Sequence, residues 1–217
     1  MKKSIFALAA ALLVAAALPH PVAAADALTQ ALDAFAKVTD YTADIVVHEV
    51  KGSDVHDNTY RYSYLKPNYV KLDVLSGPGR GSGAVWTGGD QVSGHMGGFL
   101  SGLHKKVGLH DAQAESLRGD AIDSGTISAM LEQFKDPKGT VTETDDKTVD
   151  GILTDELSLK TADPASMGGV TRIDLYLSHT VHMPVRRERY IGDQLVKSEQ
   201  VTNQKINIGL KPSDFPF

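Results

Sequence analysis

The chain has 217 residues, no cysteine, and 27 Asp+Glu against 22 Lys+Arg, for a formal net charge of −5. This acidic balance argues against nucleic acid and anionic lipid surfaces as partners. Without cysteine there is neither a disulfide scaffold nor a thiol nucleophile, so stability must come from a packed core.

The first 25 residues read as a cleaved export signal. Lys2 and Lys3 form a basic start and Ile5 to Leu18 an apolar run. Pro19, Pro21 and the small-residue stretch Val22-Ala23-Ala24-Ala25 then lead to a cleavage site before Asp26. At about 14 residues the run is too short to cross a bilayer. No cysteine stands at the cleavage site to take a lipid anchor. The expectation is a periplasmic protein, residues 26–217, folded as one domain. It is more acidic than the whole chain, because the signal holds two lysines and no acid.

Ala27 to Val38 predicts an amphipathic helix, with Leu28, Leu32 and Phe35 as its apolar stripe and Asp26 as its cap. The period then changes to two. Tyr41 to Lys51 and Thr59 to Leu65 predict strands, separated by turn residues from Ser53 to Asn58. Tyr60, Tyr62 and Tyr64 share one face of the second strand. Lys66-Pro67-Asn68 breaks the ladder. Tyr69 to Leu75 resumes it with Val70, Leu72 and Val74 on one face and Lys71 and Asp73 opposite, so one sheet face is covered and the other wet. Gly77 to Gly83 is a flexible connection. Ala84 to Thr87, with the only tryptophan, Trp86, and Gln91 to Ser93 are short strands on either side of a Gly88-Gly89-Asp90 turn.

Residues 94–136 read as a helical insertion serving as a lid. Phe99, Leu100, Leu103 and Val107 suggest a glycine-interrupted helix or loop, and Ser124 to Phe134 a firmer helix capped by Ser124. Strands return at 140–144, 151–160, 170–177, 185–190 and 194–203, the last two joined by the hairpin pair Gly192-Asp193. Connections this short make the strands meander neighbours in one antiparallel sheet of about eight strands, large enough to curl into a half-open barrel.

Several stretches imitate active sites. Gly77-Pro78-Gly79-Arg80-Gly81-Ser82-Gly83 resembles a phosphate loop, but it lacks the Gly-Lys-Ser/Thr ending, Pro78 removes a donor, and no helix follows. His179 and His182 stand three apart at a strand end, where such residues point to opposite faces. His95, His104 and His110 have no acid at helical spacing, so no metal centre is expected. No Gly-x-Ser-x-Gly elbow is present. Asp145-Asp146 reads as a solvated turn. Arg186, Arg187 and Arg189 cluster on one strand, and Arg187 and Arg189 face Glu199 across the Gly192-Asp193 hairpin, as a cross-strand ion ladder rather than an anion site. No catalytic residue and no cofactor is expected, and the chain is not read as an enzyme. The apolar groups Val70, Leu72, Val74, Trp86 and Leu175 keep two readings open: a filled core, or the wall of a cavity.

Taken in order along the chain, these pieces resemble the LolA/LolB-like family of periplasmic carriers. The resemblance rests on Phe35-Ala36-Lys37-Val38-Thr39-Asp40-Tyr41-Thr42-Ala43, on Lys66-Pro67-Asn68-Tyr69-Val70, and on Val85-Trp86-Thr87-Gly88-Gly89-Asp90. It continues with Ile173-Asp174-Leu175-Tyr176-Leu177 through Met183-Pro184-Val185, and with the closing Asn207-Ile208-Gly209-Leu210-Lys211-Pro212-Ser213-Asp214-Phe215. It implies an α+β fold, an unclosed antiparallel β-barrel (a curved half-barrel) with helices covering the concave face. It also implies an apolar cavity for acyl chains, to which we assign Val46, Tyr62, Val70, Leu72, Val74, Trp86, Phe99, Leu103 and Leu175. Lys66, where LolA has an arginine, would hold the lid or the head group, more loosely than a guanidinium fork. The implied partner is the acyl chain of a lipid or lipoprotein, taken from an inner-membrane donor to an outer-membrane acceptor by a monomer, with no role for nucleic acid. The alternative on the same fold is a sensor or interaction module that binds a protein partner in envelope signalling.

Overall fold

The computed structural model describes residues 25–98 and 102–216; the predicted export signal up to residue 24, and Phe99 with it, lie outside them. Among the described residues there are two α-helices, α1 (Ala25–Ala36) and α2 (Ile127–Lys135). They accompany one sheet of eleven strands: β1 Asp40–Lys51, β2 Asp54–Leu65, β3 Tyr69–Ser76, β4 Gly83–Trp86, β5 Gln91–His95, β6 His104–Gly108, β7 Gly139–Val149, β8 Ile152–Thr161, β9 Arg172–Ser178, β10 Pro184–Ile191 and β11 Gln194–Ile206. The spatial order is β6-β5-β4-β3-β2-β1-β11-β10-β9-β8-β7. Two meanders, β1–β6 and β7–β11, are therefore joined through the antiparallel pairing of β1 with β11. The sheet is not closed, since β6 and β7 are free edges. Lys105 and Lys106 on one edge, and on the other a bulge between Thr144 and Lys147 carrying Asp145 and Asp146, discourage pairing with further strands.

The pairing corrects four expectations. Residues 54–58 are strand, not turn, because β1 and β2 stay in register from Asp40↔Leu65 to Lys51↔Asp54 and leave only Gly52 and Ser53 to reverse the chain. Part of the predicted helical insertion is strand: β6 pairs with β5 from Gln91↔Gly108 to His95↔His104. Lys105 and Lys106 had masked its alternation. The cap of α2 is Thr126, whose hydroxyl accepts from the Ala129 N–H at 3.1 Å, while Ser124 lies in the preceding 3₁₀ turn. Asp145 and Asp146 sit inside β7, with Asp146 at φ 57°, the extra residue of a bulge rather than a turn.

Register and alternation assign each strand residue to a face. One face carries Tyr41, Ala43, Ile45 and Val47 of β1 opposite Tyr64, Tyr62 and Tyr60 of β2, and these opposite Val70, Leu72 and Val74 of β3. Both helices join this core face. Ala27, Ala31 and Phe35 are the buried line of α1, with Leu28 and Leu32 only partly buried, so small side chains let the helix approach closely. Met130, Leu131 and Phe134 of α2 enter the same cluster. The Tyr41 hydroxyl, fully buried, accepts from the Ile127 N–H at 3.0 Å and so satisfies a free donor in the first turn of α2. At the other end of the sequence, Asp40 accepts from the Ile208 and Gly209 N–H groups and ties down the chain's exit.

Candidate functional site

The helices reach the core face at Tyr41 and Tyr64 of β1 and β2; farther along β1–β6 the segment 109–125 crosses it, and between that segment and the sheet lies a cavity of about 740 Å³. Its sheet wall is Ile45 and Val47, Tyr60 and Tyr62, and Leu72 and Val74, continued by Val92 and Val107 on β5 and β6. The crossing segment contributes Ala114, Leu117, Ala121 and Ile122. Gly125 is required where it stands: a Cβ there would come within 2.3 Å of the Tyr62 hydroxyl. Burial pushes the Tyr60 phenol up to about 12, helped by the Glu49 and Glu199 carboxylates, so both wall tyrosines stay neutral.

One end of the cavity is charged. Lys197 Nζ lies 2.6 Å from Glu49 Oε1, 2.7 Å from Asp120 Oδ2 and 3.5 Å from Glu199 Oε1. Arg189 holds the other Asp120 oxygen at 2.6 Å, and Arg187 grips Glu199 in a two-point contact whose Nη2–Oε1 distance is 2.7 Å. Glu49, Arg187, Lys197 and Glu199 are each at most 4 % exposed. Burial alone would raise the Glu199 carboxyl, but Arg187, Lys197 and Arg189 outweigh it and hold it at about 2. The same balance, struck against Arg189 and Lys197, takes Asp120 well below the ordinary carboxylate range. The predicted Arg187–Glu199 ladder is present. Arg186 points to the opposite face, where it pairs with Asp150 and Glu188.

The residues assigned to the cavity from sequence divide into three groups. Tyr62, Leu72, Val74 and Leu103 line it. Val70, Trp86 and Leu175 share the core face but pack elsewhere: Val70 and Leu175 are fully buried in the cluster, and Trp86 packs partly buried against it, its Nε1 donating to the Gly89 carbonyl at 2.9 Å. Val46 faces away and is 42 % exposed. The run Ile45-Val46-Val47 is apolar at every position, so its parity was unreadable, and the register shows that Ile45 and Val47 are the inward pair. Lys66 lies outside the cavity. Its Nζ donates to the Phe35 and Ala36 carbonyls at 2.8 and 3.3 Å and sits 4.5 Å from the Phe35 ring centre. It thus supplies the cation that the last turn of α1 lacks. Partial burial lowers its ammonium below the usual lysine range. Sequence reasoning missed Tyr60, Val92, Glu49, Lys197 and Asp120. Tyr60 could have been placed from its parity with Tyr62; the others needed the strand register or the fold of the crossing segment.

His48, His110 and His179 each lie beside a single carboxylate, Asp57, Glu115 and Asp155. Among the described residues no three His, Asp or Glu side chains converge as metal ligands, and no helix is long and apolar enough to cross a membrane.

No family model matches the sequence, and no curated protein matches it. Solved structures do, among them a LolA superfamily protein and an outer membrane lipoprotein-sorting protein domain. MucB superposes with a TM-score of 0.51 at 14 % identity over 89 % of this chain, which spans 62 % of that chain's length. The lipoprotein LppX of Mycobacterium tuberculosis gives 0.49 at 16 % identity, covering 85 % of this chain and 95 % of that one. A LolA superfamily protein from Nitrosomonas europaea gives 0.42 at 12 %, covering 90 % and 98 %. At these identities the likeness is one of fold.

Proposed function

We propose that this chain is a periplasmic carrier that shields the acyl chain of a lipid or lipoprotein, without chemistry, in the cavity between β1–β6 and the 109–125 segment. In this reading the open sheet curls into a half-barrel, and the helices with the crossing segment lie over its concave face. The observation that carries it is the cavity itself, about 740 Å³, with a wall that is more apolar than polar. Each methylene moved from water to such a wall contributes ~0.8 kcal/mol, so a dozen give useful affinity without a polar contact. Donor and acceptor membranes follow from this reading as the inner and outer membrane, with a monomer travelling between them.

Native mass spectrometry of the protein purified from periplasm, followed by organic extraction, tests it. A stoichiometric lipid or acylated peptide should be released by the wild type and lost in Leu72→Glu. A clean mass that takes up no added lipid would end the carrier reading. It would favour an interaction module instead, docking a protein through the exposed Met96 and Leu103 at the cavity edge.

A further inference from the structure

The charged end of the cavity is unequal in origin. Glu49 on β1, Arg187 and Arg189 on β10, and Lys197 and Glu199 on β11 all belong to the sheet, giving it three cations against two anions. The balancing carboxylate, Asp120, comes from the crossing segment and bonds Lys197 and Arg189, the two cations beside the Arg187–Glu199 pair. With Asp120 in place the cluster is neutral. With Asp120 withdrawn, the sheet presents a buried surplus positive charge at the end of an apolar cavity. Arg189 also keeps a buried Nε–H without an acceptor. On the crossing segment itself, the neighbouring Arg118 donates to the Val50 and Gly168 carbonyls at 2.8 and 3.1 Å. A buried ion pair is weak evidence of stability, and in some proteins such groups serve specificity or switching instead.

We propose that Asp120 stands in for the head of the cargo: the cavity takes an amphiphile bearing a carboxylate or phosphate, and that head displaces the Asp120 carboxylate from Lys197 and Arg189. This rests on the carrier reading and adds the head-group chemistry to it. Lys197 and Asp120 both line the cavity that holds the chain, so the head reaches the exchange point while the chain stays covered. The exchange also undoes the strongest tie of the crossing segment. Other ties of that segment remain: the Ser116 hydroxyl on Glu49 at 2.9 Å, Lys105 on Gln113 at 2.8 Å, the Arg118 bonds, Arg187 on the Ser124 carbonyl at 3.1 Å, the Leu109 N–H on Asp90, and the buried Ala121 and Ile122. Loading and loosening of the segment are thereby coupled.

The test compares oleate and oleoyl lysophosphatidate with monoolein, an uncharged amphiphile of the same chain, by titration below their aggregation thresholds. The wild type should bind at least one of the two anions about tenfold more tightly than monoolein, and the tighter anion names the head. In Asp120→Asn the anion should gain roughly another tenfold while monoolein stays within about twofold. Lys197→Met should bring the anion's affinity down to that of monoolein measured in the same variant. Should Asp120→Asn fail to fold, the wild-type preference and Lys197→Met decide the matter. Equal binding of all three amphiphiles by the wild type, or a folded Asp120→Asn with unchanged anion affinity, overturns the head-group inference and leaves the carrier standing. No binding of any of the three to wild type or variants overturns both.

Discussion

The core face of the sheet is packed solid in one half and hollow in the other. Around β8–β10, Leu157, Leu159, Ile173 and Leu175 are at most 1 % exposed, and Met130, Leu131 and Phe134 of α2 join them at 2 % or less. Along β1–β6 the strand residues are of the same kind, yet Tyr60 and Leu72 stay only partly buried beside the cavity. The two halves of the sheet do not differ; their covers do. α2 sends a stripe of large side chains down, whereas the crossing segment presents mostly small ones, Ala114, Ser116, Ala121, Ser124 and Gly125, beside Leu117 and Ile122. Small residues on an irregular path leave room, and the room is the candidate site.

This contrast is sharpest in the response to truncation. Leu175→Ala in the packed half should cost about 2–5 kcal/mol, because it opens a void that the surrounding side chains cannot close. Leu72→Ala, whose side chain already borders free volume, should cost less than half as much while weakening lipid binding. Urea unfolding of the two variants measures the gap, and equal losses would mean that the hollow half is as tightly filled as the other.

The charged end of the cavity should be nearly as sensitive. Arg187→Met leaves Glu199 buried without its two-point partner, and breaking one side of a buried pair costs about 3–5 kcal/mol. The same cluster sets an acid limit. The Glu199 carboxyl is depressed from 4.5 to about 2 in the folded protein, so its contribution is present above about pH 4.5 and is lost as pH falls towards 2. Asp120 is depressed too and acts in the same sense. The loss from Glu199 is on the order of 3 kcal/mol. Thermal unfolding between pH 5 and pH 2 should show a fall that is smaller in Glu199→Gln, already weakened, with the Asp120 share remaining.

What could be read from the sequence follows from where its periodicity was clean. Val70, Leu72 and Val74 alternate with Lys71 and Asp73, and their face was assigned correctly. Ile45-Val46-Val47 has no alternation, so Val46 was placed inside on no signal at all, and only the Val47↔Asn58 pairing fixes the parity. The edge strand β6 was hidden because an edge needs charge to stay unpaired, and His104-Lys105-Lys106 does not look like a strand. The ion ladder was legible because two arginines and a glutamate flank one short hairpin. Asp120 was not, since nothing local links it to Lys197, 77 residues away.

The smallest effect expected lies at the seam between helix and sheet. Lys66 reaches from the β2–β3 turn to the Phe35 and Ala36 carbonyls, and α1 has no basic residue of its own in its last turn. A cation at a helix C-terminus is worth about 0.3–1 kcal/mol when partly exposed. Lys66→Met keeps the stem against Phe35 and removes the charge, so it should lower stability by no more than that. Its larger consequence should be local: amide exchange in the last turn of α1 should speed up several-fold, with the rest of the sheet unchanged. Lys66→Arg should restore protection, since a guanidinium spans two carbonyls at least as well as an ammonium. Faster exchange spread evenly over the sheet would instead mean that Lys66 supports the whole fold, and that α1 is no separate cover.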